Sequence, residues 1–430
     1  MALSETNIKC TVNRDYLKAG SKAVLHLAVD ISSPHSPQIL KTVKPLNVCL
    51  TIDRSGSMGE ERKIENAKLA ASQLIEKLNP RDYVSLITFA DREQVEVNAR
   101  PASDLMYFQQ AINSIKAKGL TDIYSALKSS LDETTYVARG IWGAERPVSR
   151  IILLTDGQPT KGKDKVEDFA DLCTDMRRNG ISVTAFGLGS DYNEELLSAI
   201  ASHSGGAWYH VTNPTNLPEI FHEELIEMKT VIVVKPELHL QLMSGAELSD
   251  IHKVRPMLDM VEDPQLIDTK YAIPISDIVG GQPQNIVARV HVPARPEGRY
   301  RIARVELVSD GTSFSEDVVI NYTNDASLYS KETNPYPRML LLMSQGTILL
   351  RDGVSSGDET KVSQAETRVK SAWLDPNAIT LLKGEQNELM MDLKDRFEDV
   401  YAKTVIRKGK LTKEEKKKFR SETTIIKERK

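Results

Sequence analysis

Five oxygen-bearing side chains in three separate segments have the types and spacing of a metal site. Asp53, Ser55 and Ser57 alternate directly after an apolar stretch, Thr121 lies in a Gly-Leu-Thr-Asp segment, and Asp156 follows a second apolar stretch. None of the five offers sulfur or imidazole, and hard oxygen ligands select Mg²⁺, with Mn²⁺ or Ca²⁺ as alternatives. The sequence therefore predicts a metal site made of these five residues.

The balance of charge in this set predicts how the site would work. Three hydroxyls would bind the ion directly while Asp53 and Asp156 hold water, so the ion keeps an electrophilic open position. Such an ion attracts an anionic oxygen from outside, most simply the Asp or Glu of a protein partner. We see no general base placed beside it, so we expect a protein-interaction site and no enzyme.

The elements that must position these residues begin at residue 46. Apolar strands are predicted at 46–52, 83–89, 150–154 and 181–188, and residues between them keep helical spacing. This alternation is typical of an α/β fold with a doubly wound, mostly parallel sheet. Since ligands bind at the carboxyl ends of such strands, we expect both aspartates at one edge of the sheet, within reach of the loop that carries Thr121.

This pattern resembles the von Willebrand factor type A (VWA) domain family. The Asp-x-Ser-x-Ser of residues 53–57, Thr121 and Asp156 match the five positions of that family's metal-ion-dependent adhesion site, in order. The resemblance covers residues 45–229. It implies a Rossmann-like fold in which the two serines and the threonine bind the metal directly and the aspartates act largely through water.

The flanking segments indicate a second, split domain. Residues 1–44 and 230–325 alternate polar and apolar side chains between turn residues, which is typical of a β-sandwich. We interpret them as one sandwich with the VWA domain, 45–229, inserted into it, followed by a helical C-terminal region, 326–430. The order resembles prokaryotic multi-domain VWA proteins, some of which work beside MoxR-type AAA+ ATPases or protein kinases. The resemblance implies an adaptor in an intracellular complex.

Composition excludes several classes of protein. The 430 residues have a net charge of −4, yet residues 401–430 hold 12 Lys or Arg against 4 Glu, so a basic tail follows an acidic body. No apolar run approaches the roughly 20 residues that cross a bilayer, and the first residues lack the pattern of a secretory signal. Three cysteines without a Cys-x-x-Cys pair indicate reduced thiols. We expect a cytoplasmic protein with no membrane contact.

Two alternative functions stay open. Gly157 to Lys163 has the Gly-x4-Gly-Lys spacing of a phosphate-binding loop, which would indicate a nucleotide-binding enzyme. Asp164 in place of Ser or Thr, and Pro159 within the anion cradle, oppose this interpretation. The second alternative is nucleic-acid binding through the basic tail. Its cations would neutralise phosphates; they are Lys408, Lys410, Lys413, Lys416, Lys417, Lys418 and Arg420. We favour instead a solvated helix or a disordered arm.

The tail also suggests a modification site. Thr423 and Thr424 follow the basic run in Ser-Glu-Thr-Thr-Ile-Ile, and we expect them to be exposed. Because of the family's links to kinases, they are candidates for phosphorylation and for binding by a forkhead-associated domain protein.

Overall fold

The computed structural model describes residues 6–34, 44–140, 147–261, 264–309, 311–374, 376–406 and 411–426. These residues form two units, each with its own core. The first contains the described parts of Met1–Pro34, Pro236–Ile275 and Gly281–Lys430, and the second contains those of His35–Lys235 together with Ser276–Gly280.

The elements of the described residues are, in chain order, the following. The strands are β1 (Asn7–Val12), β2 (Tyr16–Lys18), β3 (Ala23–Ser32), β4 (Leu46–Asp53), β5 (Tyr83–Phe89), β6 (Glu93–Pro101), β7 (Val148–Thr155), β8 (Ile181–Leu188), β9 (Ala207–Val211), β10 (Val231–Val233), β11 (Glu237–Leu242), β12 (Glu247–Arg255), β13 (Asp259–Met260), β14 (Gln265–Ile267), β15 (Lys270–Pro274), β16 (Ile278–Val279), β17 (Gln284–Val292), β18 (Gly298–Ser309) and β19 (Thr312–Thr323). The α-helices are α1 (Lys63–Glu76), α2 (Leu105–Ser114), α3 (Ile123–Gly140), α4 (Val166–Arg178), α5 (Glu194–Ser204), α6 (Leu217–Lys229), α7 (Ala326–Tyr329), α8 (Tyr336–Ser356), α9 (Glu359–Ala372), α10 (Pro376–Leu381), α11 (Gly384–Ile406) and α12 (Lys413–Thr424).

The second unit contains the predicted doubly wound sheet. Its six strands follow the order β6-β5-β4-β7-β8-β9, and every neighbouring pair is parallel except β5 and β6. All residues of β4, β7 and β8 are buried, as expected for parallel strands covered on both faces. The prediction of a Rossmann-like α/β fold is confirmed. The antiparallel edge strand β6 was not predicted, because its polar residues break the apolar pattern.

Both faces of this sheet carry a hydrophobic core. Side chains alternate along each strand, so Leu50 joins one core and Cys49 the other. Helices α1, α2 and α6 supply the first core, with Ala71 and Phe108 among their buried residues. Helices α3, α4 and α5 supply the second, which includes Phe169. This double cover holds the carboxyl ends of β4 and β7 in fixed positions.

The first unit contains two antiparallel sheets. Their strand orders are β1-β3-β17-β12-β13 and β14-β15-β11-β18-β19-β2. Among the described strands of these two sheets, only the short β2 runs parallel to its neighbour, β19. Strand β3 pairs with β17 over nine residues, from Gln284 opposite Ile31 to Val292 opposite Ala23. Strands from residues 7–32 therefore share both sheets with strands that follow residue 236.

The C-terminal helices lie in the same unit as these two sheets. Helix α8 places Met339 and Leu340 in a core that also contains Ala28 of β3 and Val287 of β17. We predicted these helices as a third region, whereas they share a core with the strands. Gly357 and Asp358 form a tight turn between α8 and α9, in which Gly357 has φ 75° and Asp358 caps α9.

The basic tail ends in a packed helix, which corrects one prediction. The Thr412 and Glu415 side chains cap the start of α12, and Phe419 enters the core of the unit. Thr423 and Thr424 are each 1% exposed, and the Thr423 hydroxyl donates to the carbonyl oxygen of Phe419 at 2.7 Å. The expectation of exposed threonines is wrong, because α12 packs this face inward. Lys408 and Lys410 lie outside the described residues.

Among the residues that the structure describes, no helix is both long enough and apolar enough to cross a bilayer.

Candidate metal centre

Two aspartates meet at the carboxyl edge of the parallel sheet. Asp53 is the last residue of β4, and Asp156 follows the last residue of β7. The two strands are hydrogen-bonded neighbours with Ile52 opposite Leu154, so their ends lie side by side. Both carboxyl groups are buried, with residue exposures of 0% for Asp53 and 2% for Asp156. Two buried like charges at this edge favour a bound cation.

The orientation of Asp53 is determined by two donors. Its Oδ1 accepts the backbone N–H of Ser55 at 2.7 Å, and its Oδ2 accepts the hydroxyl of Thr155 at 2.6 Å. Burial raises the pKa of Asp53 to about 6, and the nearby charge of Asp156 acts in the same direction, against the hydrogen bonds from Thr155 and Ser55. A divalent cation would favour the ionised form.

The two serines link the aspartates. The hydroxyls of Ser55 and Ser57 lie 3.2 Å apart, and the Ser57 hydroxyl donates to Oδ1 of Asp156 at 2.7 Å. These contacts exist because the chain leaves β4 and turns at once into a short 3₁₀ helix, Gly56–Arg62. The alternating Asp-x-Ser-x-Ser pattern thus places all three side chains on the same edge of the sheet.

Thr121 reaches this edge through its loop. The N–H of Gly56 donates to the carbonyl oxygen of Gly119 at 3.1 Å. The N–H of Lys118 donates to the carbonyl oxygen of Arg54 at 2.7 Å. Gly119 has φ 103°, a conformation that glycine adopts most readily. The Thr121 hydroxyl lies 3.5 Å from the point that a Cβ would occupy at Gly157, next to Asp156. All five predicted residues therefore lie at one sheet edge.

The chemistry of this set fits a hard cation. It combines two carboxylates with three hydroxyls, and all of its side-chain donors are oxygen. Within the described part of the chain, no three His, Cys, Asp or Glu side chains converge as a metal site. A metal at this edge would thus depend on the hydroxyls as well as the carboxylates.

Three further residues of the site were missed from the sequence. Lys63 forms an ion pair with Asp156, with 2.8 Å between Nζ and Oδ2. Thr155 donates to Asp53, as described above, and Thr160 contacts the backbone of Thr121. Only Lys63 could have been found from the sequence. It precedes Ala67 and Ala71 at four-residue intervals on the apolar face of α1, where a buried lysine needs a partner.

The segment Gly157–Lys163 positions Thr121 in this structure. The N–H groups of Thr160 and Lys161 donate to the carbonyl oxygen of Thr121 at 3.0 and 3.2 Å, and the Thr160 hydroxyl accepts from the N–H of Thr121 at 2.9 Å. Lys163 instead pairs with Asp168 at 3.1 Å. A phosphate-binding loop directs its amides and its lysine toward the anion, which this arrangement does not do.

Comparison with known proteins identifies the domain that carries this edge. The sequence model of the von Willebrand factor type A domain matches residues 47–223. Residues 47–223 form a VWA domain. Such domains commonly bind a divalent metal at a site of this kind, and they are typically metal-dependent protein-interaction modules.

The fold of the whole chain has relatives of known structure. A von Willebrand factor type A protein from Catenulispora acidiphila superimposes with a TM-score of 0.76 at 18% identity, covering 99% of this chain and 98% of its own. The ArnB paralog VWA2 from Sulfolobus acidocaldarius gives a TM-score of 0.57 at 17% identity, covering 95% of this chain and 99% of its own. At these identities the likeness concerns the fold alone.

Sequence relatives match part of the chain. The protein sll0103 of Synechocystis is 27% identical over 270 residues, which are 62% of this chain and 62% of that protein. Human inter-alpha-trypsin inhibitor heavy chain H4 is 29% identical over 171 residues, 38% of this chain and 18% of that protein. The chain therefore spans less than two thirds of the length of these relatives.

Proposed function

We propose that the VWA domain is a metal-dependent protein-interaction module that captures an acidic side chain of a partner. Ser55, Ser57 and Thr121 would hold a divalent cation, Mg²⁺ by ligand chemistry, together with Asp53 and Asp156. The bound ion would supply the positive charge that attracts a partner's carboxylate. The protein itself holds these oxygens in place.

The observation that carries this proposal is the convergence of two buried carboxylates with three hydroxyls at the carboxyl end of a parallel sheet. Buried carboxylates are costly unless a cation or donors compensate them. The donors include Ser55 N–H and the Thr155 hydroxyl for Asp53, and the Ser57 hydroxyl with Lys63 for Asp156, while each carboxylate offers about four lone-pair sites. The site would therefore gain from a divalent ion.

An adaptor role extends the proposal. The similarity of the flanking segments to prokaryotic multi-domain VWA proteins supports an intracellular, cytoplasmic complex in which a MoxR-type AAA+ ATPase is a candidate partner. We do not extend it to a forkhead-associated domain protein bound at Thr423, because that residue is buried in α12. We propose no catalytic activity for this site, since its polar groups are engaged in holding one another.

The test uses the full chain and two substitutions. Asp53→Ala and Thr121→Ala remove one carboxylate and one hydroxyl, and both variants should lose Mg²⁺-dependent capture of partners from a lysate, identified by mass spectrometry. Matched Asp317→Ala and Thr215→Ala variants, at exposed positions outside the site, should capture partners normally. Capture that persists in EDTA and in both site variants would refute the metal-bridged interaction.

The nucleotide-binding alternative has its own measurement. ATP turnover that depends on Lys163 would favour it, although that lysine pairs with Asp168 in the structure. For nucleic acid, steeply salt-dependent binding to unrelated DNA that is lost with the tail would be the corresponding evidence.

A further inference from the structure

The metal centre contains a cation of its own. Lys63 Nζ lies 2.8 Å from Oδ2 of Asp156, and the two side chains are 11% and 0% exposed. On the opposite oxygen of the same carboxylate, the Ser57 hydroxyl donates to Oδ1 at 2.7 Å. One carboxylate thus serves both a candidate metal ligand and a buried ammonium group.

The position of Lys63 is unfavourable for local reasons. It is the first residue of α1, where the helix dipole favours acidic side chains and disfavours a cation. It is also largely buried, which is rare for a lysine without a partner. The ion pair with Asp156 is the interaction that compensates for both costs.

The backbone that delivers Lys63 is strained as well. Glu61 and Arg62, immediately before it, have φ angles of 50° and 57°, and neither is a glycine. Two consecutive non-glycine residues in the left-handed region are energetically unfavourable. Because the reversal at these residues starts α1 beside the sheet edge, it holds Lys63 close to Asp156.

We propose that Lys63 is a fixed cation of the metal centre. Its charge lowers the affinity of the site for the metal and raises the affinity of the metal-loaded site for an external carboxylate. Asp53 and Asp156 would by themselves neutralise a divalent ion, whereas with Lys63 the loaded site keeps one positive charge in excess. A partner carboxylate supplies the missing negative charge. Metal and partner would therefore bind with positive coupling. This inference rests on the proposed function, and it names Lys63 as the residue that adjusts the affinity of the site for metal and partner.

The experiment measures Mn²⁺ binding to the full chain by titration calorimetry. We expect Lys63→Met to bind Mn²⁺ about tenfold more tightly than the unsubstituted protein, a difference that corresponds to about 1.4 kcal/mol. Lys63→Gln, which keeps a donor without the charge, should behave similarly. Lys63→Arg keeps the charge and should bind as the unsubstituted protein does.

The matched control is Lys68→Met on the same helix. Lys68 makes an i,i+3 pair with Glu65 at 3.4 Å, away from the metal centre, so its loss should leave the Mn²⁺ affinity unchanged. A second readout is the unfolding temperature. In EDTA, Lys63→Met should unfold at a lower temperature, because Asp156 loses its partner, and the rise on adding Mn²⁺ should be larger than in the unsubstituted protein.

The outcomes separate this inference from the proposed function. If the unsubstituted protein binds Mn²⁺ and Lys63→Met binds it equally or more weakly, Lys63 is merely structural and the inference is overturned. If only the Lys63→Met and Lys63→Gln variants bind Mn²⁺, the competition is stronger than proposed and the inference is supported. If no variant binds Mn²⁺, the proposed function fails and the inference fails with it.

Discussion

At the scale of single residues, the structure resolves an apparent conflict between burial and charge. Asp53 and Asp156 lie beneath the surface of the VWA domain, yet each carboxylate oxygen has at least one donor from Ser55, Ser57, Thr155 or Lys63. Burying charged groups without such donors would cost several kcal/mol each. These donors hold the carboxylates in place, which reduces the entropy lost on binding a ligand.

A partly buried histidine of the first unit, His26, predicts a pH dependence of stability. Burial lowers the pKa of His26 in β3 from 6.5 to about 4, and the positive charges of Arg289 and Arg338 act in the same direction, while Glu332 and Asp250 act against it. Its Nδ1 is buried without a hydrogen-bond partner among the described residues. Protonation in the folded state would therefore be costly.

The sign follows from where the proton binds. Between about pH 6.5 and pH 4 the unfolded chain takes up a proton at His26 while the folded protein does not, so stability falls as pH is lowered through this window. We expect His26→Gln to remove about 1–2 kcal/mol of that fall, measured by urea unfolding at pH 7 and pH 4.5. His222→Gln, at an exposed position, is the control. An unchanged pH dependence in His26→Gln would contradict this assignment.

At the scale of elements, two local segments have roles that their sequences do not suggest. The segment 157–163 has the spacing of a phosphate-binding loop and instead holds the backbone of Thr121. Helix α12 carries the basic run of the tail, and it buries Phe419 in the core of the first unit. In both cases tertiary contacts override a local pattern.

The loop contact can be tested at Thr160. Thr160→Val removes the hydroxyl that accepts the N–H of Thr121, so Thr121 should be less firmly positioned. We expect Mn²⁺ affinity to fall by about threefold to tenfold, the equivalent of one hydrogen bond. The unfolding midpoint should change little, because residue 160 is exposed. The control, Thr215→Val, removes a hydroxyl from a different exposed segment and should leave the metal affinity unchanged. Equal Mn²⁺ affinities in the unsubstituted protein and both variants would exclude a positioning role for Thr160.

At the scale of the whole molecule, the chain enters the second unit twice. After building part of the first unit it returns at Ser276–Gly280, where β16 pairs with β10. Asp277 in this segment accepts the N–H of Lys235 at 2.9 Å and lies 3.6 Å from a guanidinium nitrogen of Arg150. Arg150 is buried in β7 and also faces Glu224 at 3.6 Å. A distant part of the sequence thus contributes charge to the interior of the VWA-containing unit.

This contribution predicts a measurable loss of stability. Asp277→Asn should lower the free energy of unfolding by about 1–3 kcal/mol, because the buried Arg150 loses a carboxylate partner. The measurement is urea unfolding of the full chain. Asp317→Asn disrupts an exposed ion pair with Arg304 and should cost less than about 1 kcal/mol. Equal losses in the two variants would show that the buried contact adds nothing.

Much of this architecture could be predicted from the sequence because the signals are local. Hydrophobic runs of strand length alternate with helical spacing, which defines the parallel sheet, and the carboxyl ends of neighbouring parallel strands must share an edge. Asp53, Asp156 and the hydroxyls of Ser55, Ser57 and Thr121 could therefore be grouped from the sequence alone. Their oxygen chemistry, which indicates a hard cation, is likewise a property of residue type.

Other features were decided only by tertiary structure. The pairing of Lys63 with Asp156 joins residues 93 positions apart, and the pairing of Arg150 with Asp277 joins residues still farther apart in sequence. The inward face of α12, with Thr423 and Thr424, depends on a core assembled from β3, β17 and α8. No local pattern encodes these contacts, since a charged or polar side chain is compatible with both solvent and a buried partner. Only the folded chain determines which of the two it meets.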